Sequence, residues 1–172
     1  MSRGDFLPLS RAGARSRSRS AWLAPVSIML GSLITILPFV ATLPVLPPFG
    51  LMMMLGWRLH RSDSLRPWAP VLLGLFDDLV SGQPLGSGMF FWTLCFLSID
   101  VLDSRLVWRD FWQDWLIAAG GITFVLVATR LIATSFAAHV DTALLVQTII
   151  SIALFPLVST LCTRLDREPR RQ

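Results

Sequence analysis

The sequence predicts an all-α integral membrane protein with six transmembrane helices, and two observations point to this fold class. Apolar residues make up 53% of the 172 residues, whereas charged residues make up only 15%. Residues 20–57 form an unbroken run of 38 residues without a formal charge. A bilayer crossing needs about 20 apolar residues, so this run alone is long enough for two crossings. Because backbone polar groups inside lipid must be satisfied within their own segment, we expect the crossings to be helices.

The chain divides into a tail, six apolar spans and a second tail. Residues 1–20 are rich in arginine and serine, and we expect them to form a disordered cytoplasmic tail suited to anionic lipid head groups. The transmembrane domain is predicted for residues 21–164, and residues 165–172 form a basic cytoplasmic tail. The six spans are predicted at residues 22–42, 44–59, 67–82, 85–102, 114–137 and 142–163.

The second span is predicted to be the shortest. It starts at Pro44, and Pro47 and Pro48 follow closely, so about eleven residues, or about 16 Å, remain for a regular helix. Such a helix is shorter than the hydrocarbon core of a bilayer. We therefore expect a short, tilted or partly irregular segment that is buried among the other helices.

Arginine placement supports six crossings independently. The chain has no lysine, and fourteen of its fifteen arginines fall in alternate connections between the spans or in the tails. Positive residues are enriched in cytoplasmic connections, so both termini are predicted to be cytoplasmic. The cytoplasmic set consists of Arg3, Arg11, Arg15, Arg17, Arg19, Arg58, Arg61, Arg66, Arg105, Arg109, Arg164, Arg167, Arg170 and Arg171.

The third span contains two adjacent carboxylates within the stretch GLFDDLVSGQPLG, residues 74–86. Gly74, Asp78 and Gly82 recur every four residues and share one helix face, where small residues let another helix approach closely. Asp77 points about 100° away from that face. The two aspartates therefore need not have the same role, and the sequence assigns none to Asp77.

Arg130 is the one arginine outside the cytoplasmic set, and it interrupts the fifth span. By helical rise, Arg130 and Asp78 lie at a similar depth in the outer half of the membrane. A charge at that depth usually has a partner, so we expect Arg130 to pair with Asp77 or Asp78. The alternative is that Arg130 extends alone to the outer head groups.

Enzymatic function is not predicted, because the required side-chain constellations are missing from the sequence. The two histidines, His60 and His139, are predicted to lie at opposite membrane faces, and no candidate nucleophile has a histidine at its depth. We expect no cofactor, no metal and no nucleic-acid partner. Intramembrane carboxylates are also typical of ion and proton pathways, so a small-molecule-binding subunit of a transporter is the alternative function.

The same stretch has the pattern G-x-x-x-D-L-x-S-G-x-x-L-G, which resembles the signature of the bacterial rod shape-determining MreD family. The residues that match are Gly74, Asp78, Ser81, Gly82, Leu85 and Gly86, with Pro84 in a variable position. The short span headed by prolines (LPPFGLMMMLGWRLHR) and the closing stretch LFPLVSTLCTRLDR also fit the family. The resemblance covers residues 22–168, and Asp77 stands where the family more often has an apolar residue.

The resemblance implies a multi-pass protein of the bacterial inner membrane that acts as a non-enzymatic scaffold of the cell-elongation machinery and supports lateral peptidoglycan synthesis. It implies MreC, MreB, and RodA with its penicillin-binding transpeptidase as partners, together with membrane lipids. It further implies a fold similar to that of the substrate-binding subunits of energy-coupling-factor transporters, although fold does not determine function. Gly74, Asp78, Gly82 and the turn after them are then expected to set the packing of spans 3 and 4.

Overall fold

The computed structural model of the chain describes residues 10–34, 46–61, 65–105, 110–133 and 142–166, with side chains from Trp22 onward in the first of these ranges. Within these ranges the fold is all-α, which confirms the all-α part of the predicted class, and the six helices follow the order of the six predicted spans. The helices are α1 (Ser10–Leu33), α2 (Phe49–His60), α3 (Ala69–Ser81), α4 (Ser87–Arg105), α5 (Phe111–Ala133) and α6 (Thr142–Asp166).

The first helix starts earlier than the sequence suggested. It begins at Ser10, so residues 10–20 are helical and do not form the predicted disordered tail. Alanine and arginine, which recur in this segment, are strong helix formers, and they extend the helix out of the apolar span. Residues 1–9, 35–45 and 167–172 lie outside the described residues, and with them the predicted end of the first span and most of the C-terminal tail.

Helix α2 is short and lies at the centre of the bundle. It has 12 residues, or about 18 Å, and starts directly after Pro48. Every residue from Gly50 to Leu59 is buried, and α2 packs against α1, α4, α5 and α6. The expectation of a short helix buried among the others agrees with this arrangement. Because the other helices surround α2, its backbone polar groups are not exposed to lipid even though the helix is short.

The five helices around α2 carry large apolar side chains on their outer faces. Among the side chains that are more than half exposed are Leu30, Leu79, Phe90, Leu116 and Leu157, one from each outer helix. Two helical segments, Phe111–Ile132 and Thr142–Asp166, are long and apolar enough to cross a membrane. Exposed apolar surface of this kind marks contact with a membrane or with other proteins.

The bundle has two ends that differ in chemistry. At one end, which we call the ion-pair end, charged side chains join the last turns of α2, α4 and α6. At the other, which we call the cavity end, the first turns of α2, α4 and α6 and the last turns of α3 and α5 surround a cavity. Successive helices from α2 to α6 therefore alternate in direction.

Candidate functional site

The turn between α3 and α4 is shaped by two glycines in the left-handed region. Helix α3 carries Pro70 in its first turn and is capped by Gly82, with φ of 66°, and Gly86 has φ of 96°. Residues with a side chain rarely adopt these angles, so glycine fits both positions. A side chain added to Gly82 would meet no atom within 4 Å. The expected close approach of a helix at Gly82 is therefore wrong, and Gly82 acts through its backbone conformation.

Asp78 accepts hydrogen bonds from backbone amides at the start of α4. The amide of Gly86 donates to Oδ2 at 2.9 Å, and the amide of Gly88 donates to Oδ1 at 2.8 Å. The Met89 amide makes a longer contact of 3.4 Å with Oδ2, and the Ser87 hydroxyl, which donates to the carbonyl oxygen of Pro84 at 2.8 Å, lies 3.3 Å from Oδ1. The side chain is 1% exposed.

These contacts make Asp78 an N-terminal cap supplied by the preceding helix. The first amides of a helix have no partner within the helix, and they carry the positive end of its dipole. A carboxylate at this position satisfies the amides, and the amides stabilise its charge. A charged residue can thus be buried in the apolar bundle without an arginine beside it.

Gly74 brings α3 and α4 into backbone contact one turn earlier on the same face as Asp78. A Cβ atom added to Gly74 would lie 2.7 Å from the carbonyl oxygen of Gly88 and 2.8 Å from the Cα atom of Met89. An added Cβ on Gly88 would lie 2.6 Å from Asp78 Oδ1. The two glycines therefore keep the helices close enough for the cap to form, as the sequence predicts for Gly74.

The remaining motif residues have local roles or face outward. The Ser81 hydroxyl donates to the carbonyl oxygen of Asp77 at 2.6 Å, within α3. The carbonyl oxygen of Pro84 accepts from the Ser87 amide at 3.1 Å and from its hydroxyl at 2.8 Å. Leu85 is 71% exposed at the tip of the turn.

Asp77 lies on a different side of α3 and has different neighbours. Its carboxylate faces the hydroxyl of Ser32 on α1 and lines the cavity. A Cβ added to Gly50 would collide with Ser32 Oγ and would lie 3.1 Å from the ring of Trp92 and 3.3 Å from Asp77 Oδ1. Gly50 therefore leaves room for the Asp77 carboxylate where α1, α2 and α4 meet.

Arg130 lies on the wall of the same cavity as Asp77. The groups that compensate Asp78 are the donors of the α3–α4 turn, and this corrects the expectation that Arg130 compensates that residue. The ion pairs found among the described residues lie at the opposite end of the bundle. Pairing of Arg130 with Asp77 stays a prediction.

The ion-pair end is organised by Arg58, which the sequence pattern did not single out. Arg58 is 3% exposed on α2, and its Nη2 contacts Asp100 Oδ1 and lies 3.2 Å from Asp103 Oδ2, both on α4. Its guanidinium carbon also lies 5.0 Å from the ring centre of Phe96. Arg105, on α4 itself, is the arginine nearest to these aspartates along the chain, but the cation that meets them comes from α2.

A second set of charges joins α2 to α6 at the same end. Arg61 Nη1 lies 3.4 Å from Asp166 Oδ1, and His60 Nε2 lies 3.6 Å from Asp166 Oδ2. These contacts tie the last turns of the central helix and the last helix together. The sequence predicted a tight turn over Ser81–Gly88 but did not identify the contacts of Ser87 and Gly88 with Asp78, although a glycine- and serine-rich stretch directly before an apolar run is typical of a helix start.

Comparison with known proteins assigns the family. The sequence model of the family described as rod shape-determining protein MreD matches residues 16–165, which is most of the chain. No curated protein and no solved structure matches the chain. The matched region includes all six helices from the apolar part of α1 to the last turn of α6. The chain therefore belongs to the MreD family of rod shape-determining proteins.

Proposed function

We propose that the chain is a non-enzymatic scaffold of the bacterial inner membrane that supports cell elongation and lateral peptidoglycan synthesis by binding partner membrane proteins. Family membership implies a role in rod-shape determination, and this is the observation that carries the proposal. The polar residues of the family-like motif support a structural role, because Asp78 is occupied by capping α4 and Gly74 by helix packing.

A position within the membrane is supported by the outer faces of the helices. Side chains such as Leu79, Phe90 and Leu157 are largely exposed, and hydrocarbon is the solvent that suits such a surface. We propose that all six helices cross the membrane and that the ion-pair end faces the cytoplasm. At that end lie the described arginines Arg58, Arg61, Arg66, Arg105 and Arg164, as positive-inside orientation requires.

The orientation can be tested by labelling single cysteines in intact cells. The two native cysteines, Cys95 and Cys162, are buried, so their background labelling is low. We expect Gln83→Cys, in the exposed α3–α4 turn, to react with a membrane-impermeant maleimide. Asp110→Cys, at the ion-pair end, should react only after the cells are permeabilised. Reversed reactivity of these two variants would refute the proposed orientation.

The partners proposed are those that the family resemblance implies: MreC, MreB, and RodA with its penicillin-binding transpeptidase, with lipids around the bundle. A partner helix would pack on the outer faces of the bundle through apolar contacts. The test is detergent extraction and affinity capture of the tagged chain from a strain that carries its native MreC. Recovery of MreC at a stoichiometry unaffected by mild salt supports scaffolding. If the strain needs the tagged chain for its rod shape, recovery of that chain without MreC would contradict direct binding.

The alternative function, a small-molecule-binding subunit of a transporter, is favoured by one observation. This observation is the cavity of about 240 Å³ lined by Asp77 and Arg130 at the end where α3 and α5 finish. The two functions differ in what happens to the cells when this protein is depleted. Loss of a scaffold turns rods into spheres in rich and minimal medium alike, whereas loss of a transport subunit gives a defect that a supplied nutrient repairs.

A further inference from the structure

The cavity at the cavity end is open to the surface, where the exposed Gln83 and Arg130 line it, and it carries polar groups into an otherwise apolar bundle. Its volume is about 240 Å³. This is below the usual range of drug-sized ligand sites, which is about 300–1,000 Å³, and well above the space that one water needs. The charged and polar side chains in its lining are Asp77, Gln83, Thr129, Arg130 and Gln147. A small polar compound, or the end of a larger molecule, matches this size.

Asp77 is the part of the cavity that most needs explanation. Asp77 is partly buried and takes part in none of the ion pairs found among the described residues. Its neighbours are the Ser32 hydroxyl, which hydrogen-bonds to it, the Gly50 backbone, the ring of Trp92 and the adjacent Asp78 carboxylate, and none of them is a cation. A carboxylate in apolar surroundings is costly unless a positive group meets it. An ammonium group in the cavity would supply that charge.

The lining also offers a place for a negative group. Arg130 contributes a guanidinium with five donors, so it can hold an anion and a neighbouring acceptor at the same time. The Gln147 amide is fixed by donating to the carbonyl oxygen of Leu46 at 2.6 Å, which leaves its own oxygen as an acceptor on the wall. Leu51, Val125 and Leu126 provide an apolar surface between these polar groups.

We propose that this cavity binds a small zwitterion, with its ammonium group at Asp77 and its carboxylate or phosphate at Arg130. Two sources share this chemistry: a free amino-acid-like solute and the head group of a phosphatidylethanolamine lipid. The site requires neither transport nor scaffolding, so it stands apart from the function proposed above. Asp77 is then a ligand-binding residue, in contrast to the structural Asp78.

The test uses the purified full-length chain and two soluble probes, L-alanine and O-phosphoethanolamine. We expect either probe to raise the unfolding temperature of the wild-type chain in a dose-dependent way, because a ligand that binds only the folded state stabilises it. The variants Asp77→Asn and Arg130→Gln should bind at least tenfold more weakly. The control variants Asp110→Asn and Arg105→Gln lie exposed at the ion-pair end, and their binding should be unchanged.

The lipid source is tested in nanodiscs that contain phosphatidylethanolamine or phosphatidylglycerol. Native mass spectrometry should show phosphatidylethanolamine retained by the wild-type chain and lost from Asp77→Asn if the head group is the ligand. If only the soluble probes bind, the ligand is a free solute. Leu126→Trp, which fills the cavity and keeps both charges, should abolish binding in either case. The proposal is overturned if neither probe nor lipid binds, or if Asp77→Asn and Leu126→Trp both bind like the wild type.

Discussion

The two ends of the bundle compensate buried charge in different ways. At the ion-pair end Arg58 meets two carboxylates of α4, so that opposite charges compensate one another. At the cavity end Asp78 is buried without a cation and is compensated by backbone amides at the start of α4. Both devices act on the same helix, one at its last turns and the other at its first.

The comparison shows that buried charge depends on partner side chains at the ion-pair end and on partner backbone amides at the cavity end. An ion pair can be lost by changing either side chain, and its energy falls with solvent exposure, as at the half-exposed Asp100. A cap made by backbone amides is lost only when the carboxylate is removed or when α3 and α4 move apart. Three substitutions test this contrast, beginning with the largest expected effect.

Removing the cap should have the largest effect. Asp78→Ala leaves the Gly86 and Gly88 amides without their buried acceptor, and we expect a loss of about 3 kcal/mol in the free energy of unfolding. The measurement is equilibrium unfolding by sodium dodecyl sulfate in mixed micelles. The adjacent Asp77→Ala is the matched control, and we expect it to cost much less. Equal losses for the two variants would contradict the separate roles of these aspartates.

Breaking the charge cluster at the other end should cost about 2 kcal/mol. Arg58→Met removes the cation from beside Asp103, which is 17% exposed, and keeps the apolar stem that packs on Phe96. The estimate is reduced because Asp100 is 45% exposed and screened by solvent. The double variant Arg58→Met with Asp103→Leu should recover part of the loss, because no unpaired charge stays buried. No recovery in a double-mutant cycle would show that the pair is not coupled.

Separating α3 from α4 tests the cap indirectly. Gly74→Ala places a methyl group against backbone atoms of Gly88 and Met89, which cannot move without shifting a helix, so we expect a loss of about 1–2 kcal/mol. Gly120→Ala on α5 is the matched control, since an added Cβ there meets no atom within 4 Å. The control should be neutral or stabilising by about 0.5 kcal/mol, because alanine favours the helix over glycine. A Gly74 variant as stable as the Gly120 variant would argue against tight packing at this crossing.

The sequence predicted the fold well because the governing signals are local. Uncharged runs, prolines and arginine-rich connections mark where helices begin and end, and the six helices follow them. The short central helix was foreseen from Pro44, Pro47 and Pro48, because proline limits helix length at its own position. The extension of α1 back to Ser10 was missed. The arginine- and serine-rich composition of residues 10–20 indicated a disordered tail, whereas the structure continues the helix through them.

The site was predicted only in part, because partners distant in sequence leave no local signal. Asp78 and Gly74 were identified, but the partner of Asp78 was sought on a distant helix when its donors lie eight to eleven residues further along the chain. Asp100 and Asp103 show the reverse case: Arg105 is the arginine nearest to them in sequence, whereas their ion-pair partner is Arg58, on another helix. The depth of a carboxylate along its helix does not tell whether nearby backbone amides or an arginine on another helix will compensate it.

The short sequence distance between Asp78 and its donors has a consequence for how the protein is made. The hairpin of α3 and α4 contains both the carboxylate and the groups that satisfy it, so all of these partners are present in the chain before α5 or α6 is synthesised. If α3 and α4 cross the membrane as proposed above, a translocon would receive the hairpin as one insertion unit, whereas α3 alone would present an unmasked charge to lipid. Glycosylation mapping of the isolated hairpin against α3 alone would measure this gain in membrane integration.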